Sequence, residues 1–387
     1  QLHPFSLILR PRVQATEHAL APDAGDDPPA AGRPPTRNLT MALFDFIARL
    51  LERDSSTPAD RLPEHARPFL PKAVDLVVDT VEPRLRALPG YRGRLEPGVV
   101  RTLLHIRAHL LELPPPLLLS EHAWREDPHI NAFFATAAGV GTALGASEEL
   151  RAFFDDGANL ACDEAIALLS MQRRERTVLG VGLEGDMVRN DVPQHTVSFS
   201  EHRIVVPAAN EQAMRLELCK RTFRHLLQLA LERVRAAQER ANDLTQFHAR
   251  QQARLRWLQG RALGLDSLAE DSGRHQAEIE ALQSELAGTT AELGKARVAL
   301  GSLEDYFGVI DSVLSHPADH LRAETRVLRL DRMNRRVDDT AAGPVNQISL
   351  TDIRVGEGLV RSVVPVRCRR ADLPERVNRL AYGERYL

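Results

Sequence analysis

Cysteine is scarce in this 387-residue chain, and that scarcity sets the first limits on what the protein can be. Cys162, Cys219 and Cys368 are widely separated and odd in number. They exclude a disulfide framework and any CxxC metal knuckle, and they fit a reducing compartment. Aromatic residues make up only 5% of the sequence, too few to build base-stacking platforms. A formal net charge of −3 rules out a globally basic nucleic-acid binder, though not a local patch. Long apolar runs are missing as well. The best candidate, Ile130–Ser147, has eighteen residues without a charge but contains Asn131, Thr136, Thr142 and three glycines. It falls short of the ~20 apolar residues a membrane-crossing helix needs, so a buried helix followed by a glycine-rich turn is expected there. No G-x-S-x-G, P-loop or Cys/His signature occurs. No catalytic residue, cofactor site or metal site is therefore expected.

The first forty residues are poor in everything that folds. Between Ala19 and Thr36, twelve of eighteen residues are Ala, Pro or Gly, a composition that does not bury enough surface to offset its ordering entropy. QLHPFSLILRPR (1–12) lacks the basic start and small-residue cleavage site of a signal peptide. Met41 opens ALFDFIARLLERD, an amphipathic helix whose apolar face docks on the body rather than on a membrane surface. The natural start is expected at Met41, with residues 1–40 a disordered tail or upstream read-through.

Helical periodicity then dominates up to Arg173. Helices are expected over Ala73–Leu88, Gly98–Leu113, Ile130–Ala138, Glu148–Asp155 and Asn159–Met171, with Ser147 capping the fourth. His105 and His109, at i and i+4, fall opposite Val99, Leu103, Ile106 and Leu110 on a helical wheel and read as a solvated polar face. From Arg176 the period becomes that of a strand. Val192–Phe199 and Arg203–Val206 continue it across an apparent turn, SEHR, and strands return over Thr325–Met333, Gln347–Val355 and Leu359–Cys368.

GVGLEG (180–185) has the spelling of a phosphate-cradling glycine loop. That loop must end a strand and open a helix. DMVRNDVPQHTVSF, which follows, is strand-like and carries a proline. The glycines are instead read as a bulge or a close approach at Gly180 and Gly182, with a tight turn at Gly185. Glu184, Asp186 and Asp191 gather near that turn, with His195 and His202 beyond it. This polar cluster is the alternative functional reading: a small-ligand site or an enzyme on the β-rich domain.

The strongest pattern lies between these two groups of strands. Ile279, Leu282, Leu286, Thr289, Leu293, Ala296, Leu300, Leu303, Phe307, Ile310 and Leu314 keep a strict 3-4 spacing, the seam of a coiled coil. A looser seam precedes it, through Leu216, Cys219, Phe223, Leu226, Ala230, Val234, Ala237, Ala241 and Leu244 to Leu255 and Leu258. His248 and Gln251 occupy seam positions on the way. Glu211–Arg261 carries eleven Lys+Arg against five Asp+Glu, whereas Asp266–Asp311 carries three against ten. Opposite charges favour pairing of the two helices, and the glycines at 260, 264 and 273 favour a fold-back between them. Arms of ~45 residues would reach roughly 65 Å.

The expected fold is α+β and mostly helical. A helical domain (41–173) and a β-rich domain made of two sequence-distant halves (174–208 and 324–387) flank a protruding antiparallel coiled-coil hairpin (209–316). The layout of strands, helical hairpin and returning strands resembles periplasmic adaptor subunits of export systems and, more loosely, prefoldin-like chaperones. The resemblance is one of layout, with no motif matched residue by residue, and layout alone implies no activity. The sequence therefore reads as a non-enzymatic, cytoplasmic scaffold that meets a protein partner through the hairpin. No membrane span is expected. Weak nucleic-acid binding by the Arg-rich first arm and homo-oligomerisation through the coiled coil are the remaining alternatives.

Overall fold

The computed structural model describes residues 62–184, 187–262, 272–300, 302–337, 345–356, 358 and 360–375. The expectations for residues 1–40, for Met41 and for its helix lie outside them. The protein is α+β and mostly helical, with a six-stranded sheet that is antiparallel except where the short β1 joins it. By contact the chain divides into two units. The first comprises Gln1–Phe69, Thr102–His225 and Pro317–Leu387, and the second Leu70–Arg101 and Leu226–His316.

In the first unit the strands are β1 (Leu117–Leu118), β2 (Glu164–Glu184), β3 (Met187–Ala208), β4 (Leu321–Leu330), β5 (Asn346–Val355) and β6 (Val360–Arg369). They lie in the order β3-β2-β6-β5-β4, with β1 parallel to β6. Ala165, Ala167, Leu169 and Met171 of β2 join Val364, Val366 and Cys368 of β6 and Ile348 and Leu350 of β5 in one core. Four short helices, α3 (Ala123–Glu126), α4 (Pro128–Phe133), α5 (Ala137–Ala146) and α6 (Glu148–Asp155), cover that face of the sheet and add Phe133, Leu144, Leu150 and Phe154, while β3 adds Val197 and Ile204 and β4 adds Leu328 and Leu330. Asn159–Met171 is thus corrected from helix to the end of a 3-10 segment (Gly157–Asn159), a turn over 160–163 and the start of β2. The run AIALLSM is buried on both faces of a central strand. A continuous apolar run of that length carries no period to separate strand from helix.

Two further expectations change in this unit. GVGTALG is helical within α5 rather than a turn, because Thr136 caps it by accepting from the Gly139 amide (3.2 Å) and Val140, Ala143 and Leu144 are buried. The SEHR segment is no turn either, for β3 runs straight through it. At three places β2 advances two residues while β3 advances three: Ile166/Leu168, Ser170/Gln172 and Gly180/Gly182. Each is a β-bulge, which bends and twists the ribbon. Val206 (φ 57°) and Glu201 (φ 53°) absorb the extra residue in the first two. The third falls on the glycines, so GVGLEG joins strand to strand rather than strand to helix. A Cβ on Gly180 would sit 2.5 Å from Gln194 Oε1. Gly185 lies outside the described residues.

Beyond Met171, β2 leaves β6 and pairs with β3 alone. The outer edges of the sheet are tied together across the residues after β4. The Val197 amide donates to the Asn334 carbonyl (2.8 Å), the Arg336 amide to His195 (2.7 Å) and the Val337 amide back to Arg329 of β4 (3.0 Å). The Asn334 side chain also donates to the Ala132 carbonyl (2.8 Å), which fixes this tie to α4.

The second unit holds α1 (Leu70–Val81), the first half of α2 (Tyr91–Leu111), most of α7 (Glu211–Ala262), α8 (Ser272–Leu300) and α9 (Leu303–Ser315). α1 buries Leu70, Ala73, Val74, Val77, Val78 and Val81 at helical spacing. It stops before the expected Leu88 because Pro83 forces Glu82 into an extended conformation. The 279–314 seam is likewise split. Ser302 accepts the Asp305 amide while the Asp305 carboxylate accepts the Ser302 amide (2.8 Å), a capping box that starts a new helix after Gly301. Arg94 pairs with Glu304 (2.6 Å) and stacks on Phe307, and Gly98 lies where a Cβ would meet Leu314 Cβ at 3.2 Å. No helix among the described residues is long and apolar enough to cross a membrane.

Candidate functional site

Three places in the described residues are candidates for function, and the seam is the first. Contacts along the second unit run in reverse order. Gln238 of α7 donates to Tyr306 (3.0 Å), His248 and Thr290 share a hydrogen bond (3.0 Å), and Arg254 donates to Glu278 (2.6 Å). Leu258, Ile279 and Leu282 form a small core with Leu255 packed on it. Burial of each such side chain contributes about 1.5–3 kcal/mol, whereas the exposed Arg254–Glu278 pair adds ~0–1 kcal/mol. Leu286 and Leu293 are also buried, as are Phe307, Ile310 and Leu314 of α9, and Leu303 is half-buried. Ala296 and Leu300 belong to the last turns of α8. On α7, Cys219, Phe223, Leu226, Ala230 and Val234 are buried, and Leu216 and Leu244 are half-buried. Two aromatic side chains on α7 stay in solvent, Phe247 at 39% and Trp257 at 58% exposure.

The polar cluster is spread along the ribbon. Glu184 is the last residue of β2, Asp191 lies within β3, and Asp186 is outside the described residues. His195 faces Thr177 across the ribbon and shares a hydrogen bond with its hydroxyl (3.1 Å). His202 is seven residues further on, roughly 23 Å along a strand. Its Nε2 donates to the Phe133 carbonyl (2.8 Å) and its ring stacks on Phe134 (centroids 4.2 Å apart). Burial holds the His202 pKa below the ordinary histidine range, with Arg361 adding to the effect against the Phe133 hydrogen bond. The structure therefore places His195 and His202 at different stations of β3.

Sequence reasoning missed a layer of histidines beneath the other sheet face. A cavity of about 40 Å³ lies between that face and helices α2 and α7, walled by Ile106, Leu110, Leu168, Leu218, Ile353 and Val363. His109 lines it, and neither of its buried ring nitrogens has a hydrogen-bond partner. His105 packs edge-on against it, centroids 4.5 Å apart, with its Nε2 donating to the Leu321 carbonyl (2.8 Å). The expected solvated polar face is corrected: His109 faces a cavity against the sheet and His105 bonds to the first residue of β4, so this side of α2 is covered. Desolvation, and then the His105 charge, lower the His109 pKa. His225 of α7 is buried with Nδ1 unpartnered, and burial together with His320 pushes its pKa down to about 4. Among the described residues no three His, Cys, Asp or Glu side chains gather to hold a metal ion.

The cysteines take part in packing. Burial pushes the thiols of Cys219 and Cys368 up to about 12, while Cys162 is only partly buried. Thiolate is the reactive form, so native protein treated with iodoacetamide should take up one label per chain and denatured protein three. Intact mass spectrometry reads the count, and two rapid native labels would contradict this packing.

Comparison with known proteins finds no family model, curated protein or solved structure that matches this chain.

Proposed function

We propose that the protein is a non-enzymatic scaffold of the cytoplasm that meets a protein partner through an antiparallel coiled-coil hairpin formed by α7 and α8. The reverse order of the α7 contacts, 238 with 306, 248 with 290 and 254 with 278, carries this reading. Opposite net charge favours the pairing, with eleven Lys+Arg against five Asp+Glu over Glu211–Arg261 and three against ten over Asp266–Asp311, a stretch that includes α9 as well as α8. Phe247 and Trp257 supply the exposed aromatic anchors that dominate recognition surfaces.

Two measurements test the proposal. Leu258→Cys with Ile279→Cys, in a Cys162→Ser background, should crosslink within one chain on mild oxidation. A crosslinked dimer would move the pairing between chains. The full chain, a Gln238–Ala296 deletion and the milder Phe247→Ala/Trp257→Ala variant are then compared for the proteins they retain. The deletion should lose the partners and the double variant should weaken them at least tenfold, since anchor residues contribute about 2 kcal/mol or more each. Identical partners on all three would remove the hairpin from recognition.

A further inference from the structure

The start of β4 and the turn leaving β5 line an open hollow of about 330 Å³ in the first unit. Its walls include Asp319, His320, Arg322, Arg354, Gly356 and Val360. Arg322 and Arg354 stand directly opposite each other on β4 and β5. Like charges in that position repel and destabilise a strand pair.

The next opposed pair of like charges on the same ladder shows how this chain settles such a conflict. Glu324 faces Asp352, and there the protein brings in cations. Arg326 lies 2.6 Å from Glu324 and 3.5 Å from Asp352, and Arg173 lies 2.7 Å from Asp352. Among the described residues the arginine pair has no equivalent supply of anions. Arg322 donates Nε–H to the Ala318 carbonyl (2.9 Å) and has one acid, Asp319, at 4.0 Å. The Arg354 guanidinium makes no hydrogen bond or ion pair with any described residue, while its main chain pairs in the sheet. One guanidinium is thus held in place and the other is left available beside a hollow of ligand size.

The main chain leaves room for an occupant. Gly356 adopts φ +58°, its amide donates to the His320 carbonyl (2.8 Å), and nothing lies within 4 Å of where its Cβ would be. The bare backbone forms an open wall on one side, with Val360 as an apolar wall.

We propose that this hollow binds the phosphate group of a small phosphate monoester, its oxygens bridging Arg322 and Arg354 and its organic part resting on Val360. Guanidinium forks match the oxygens of a tetrahedral anion, and a bound phosphate removes the repulsion between the two strands. The missing counter-charge is supplied by the ligand.

The test uses the full chain in a low-salt buffer, with inorganic phosphate as the probe against acetate and chloride at matched ionic strength. Millimolar phosphate should raise the melting temperature by about 2–4 °C, more than either other anion. Arg354→Gln should melt at the same temperature as the parent or higher without phosphate, and phosphate should no longer shift it. Calorimetric titration should show at least tenfold weaker phosphate binding to Arg322→Gln. The proposal is overturned if acetate or chloride matches phosphate. It is also overturned if phosphate shifts Arg354→Gln as much as the parent, or if Arg354→Gln melts lower than the parent without phosphate. Loss of the hairpin's partners has no bearing on these results, so the two readings fail separately.

Discussion

Moving from pH 7 to pH 5 is expected to cost about 2 kcal/mol of stability through His225 alone. Burial, reinforced by His320, lowers its folded pKa from 6.5 to about 4. The folded state then refuses a proton that the unfolded chain accepts. Stability is therefore fully present above pH 6.5 and drains away as the pH falls toward 4, for a total of about 3 kcal/mol. His109 and His202 are lowered as well, so they act in the same direction. Urea unfolding of the parent and of His225→Leu, measured from pH 8 to pH 4, checks the sign and the size. The substitution removes a buried nitrogen that has no partner, so it should be neutral or mildly stabilising at pH 7. At pH 5 it should recover most of the loss. A variant whose stability falls with acid as steeply as the parent's would show that His225 is protonated in the folded protein.

Replacing Arg361 with methionine should destabilise the first unit by about 3–5 kcal/mol, since acceptors inside the protein left without a donor cost about 1–3 kcal/mol each. The Arg361 side chain is 4% exposed. It donates to the Glu201 carboxylate (2.9 Å), the Glu201 carbonyl (2.6 Å), the Ser170 hydroxyl (3.2 Å) and the Ser170 carbonyl (3.4 Å). These bonds clamp the bulge in which Glu201 takes its positive φ. Without the guanidinium, Ser170 and the Glu201 carbonyl lose donors inside the protein, and a strained backbone loses its restraint. Glu201→Gln should cost only about 1 kcal/mol, because that side chain is 49% exposed and the remaining donors stay engaged. Chemical denaturation gives both values. Equal losses for the two variants would mean that the ion pair, rather than the contacts to the main chain, holds the bulge.

Much of the secondary structure was legible in the residues because local signals agreed with tertiary demand. Ser147 before two glutamates marked the start of α6, and the structure adds that its hydroxyl also donates to the Ile204 carbonyl (2.7 Å). β5 and β6 begin and end within a residue or two of the expected places, since alternation and the GEG turn bound them. Misreadings arose where one local pattern served two outcomes. EAIALLSM has no period because both sides of β2 are covered. SEHR is polar and turn-like, yet it serves as a bulge held by Arg361, a residue 160 positions away in sequence. The 3-4 spacing from Ile279 to Leu314 persists across a break because α8 and α9 both bury apolar faces, while the capping box of Ser302 and Asp305 marks the start of α9 locally. The histidine layer was invisible for a different reason. Only the fold brings His109 to the covered face of the sheet, and only the fold buries His225 within reach of the His320 charge. The opposed arginines depend on strand register, which the sequence carried but did not declare.

The tie between β3 and β4 has a bearing on solubility. Exposed strand edges invite pairing with other chains, and a sheet with two such edges is prone to grow into fibres. Here the segment after β4 occupies part of both edges at once, pinned by Asn334 in a left-handed conformation (φ 57°). Asparagine tolerates that conformation far better than a β-branched residue does. A change such as Asn334→Val would release both edges together, and its first visible consequence would be aggregation during expression rather than the loss of any binding function.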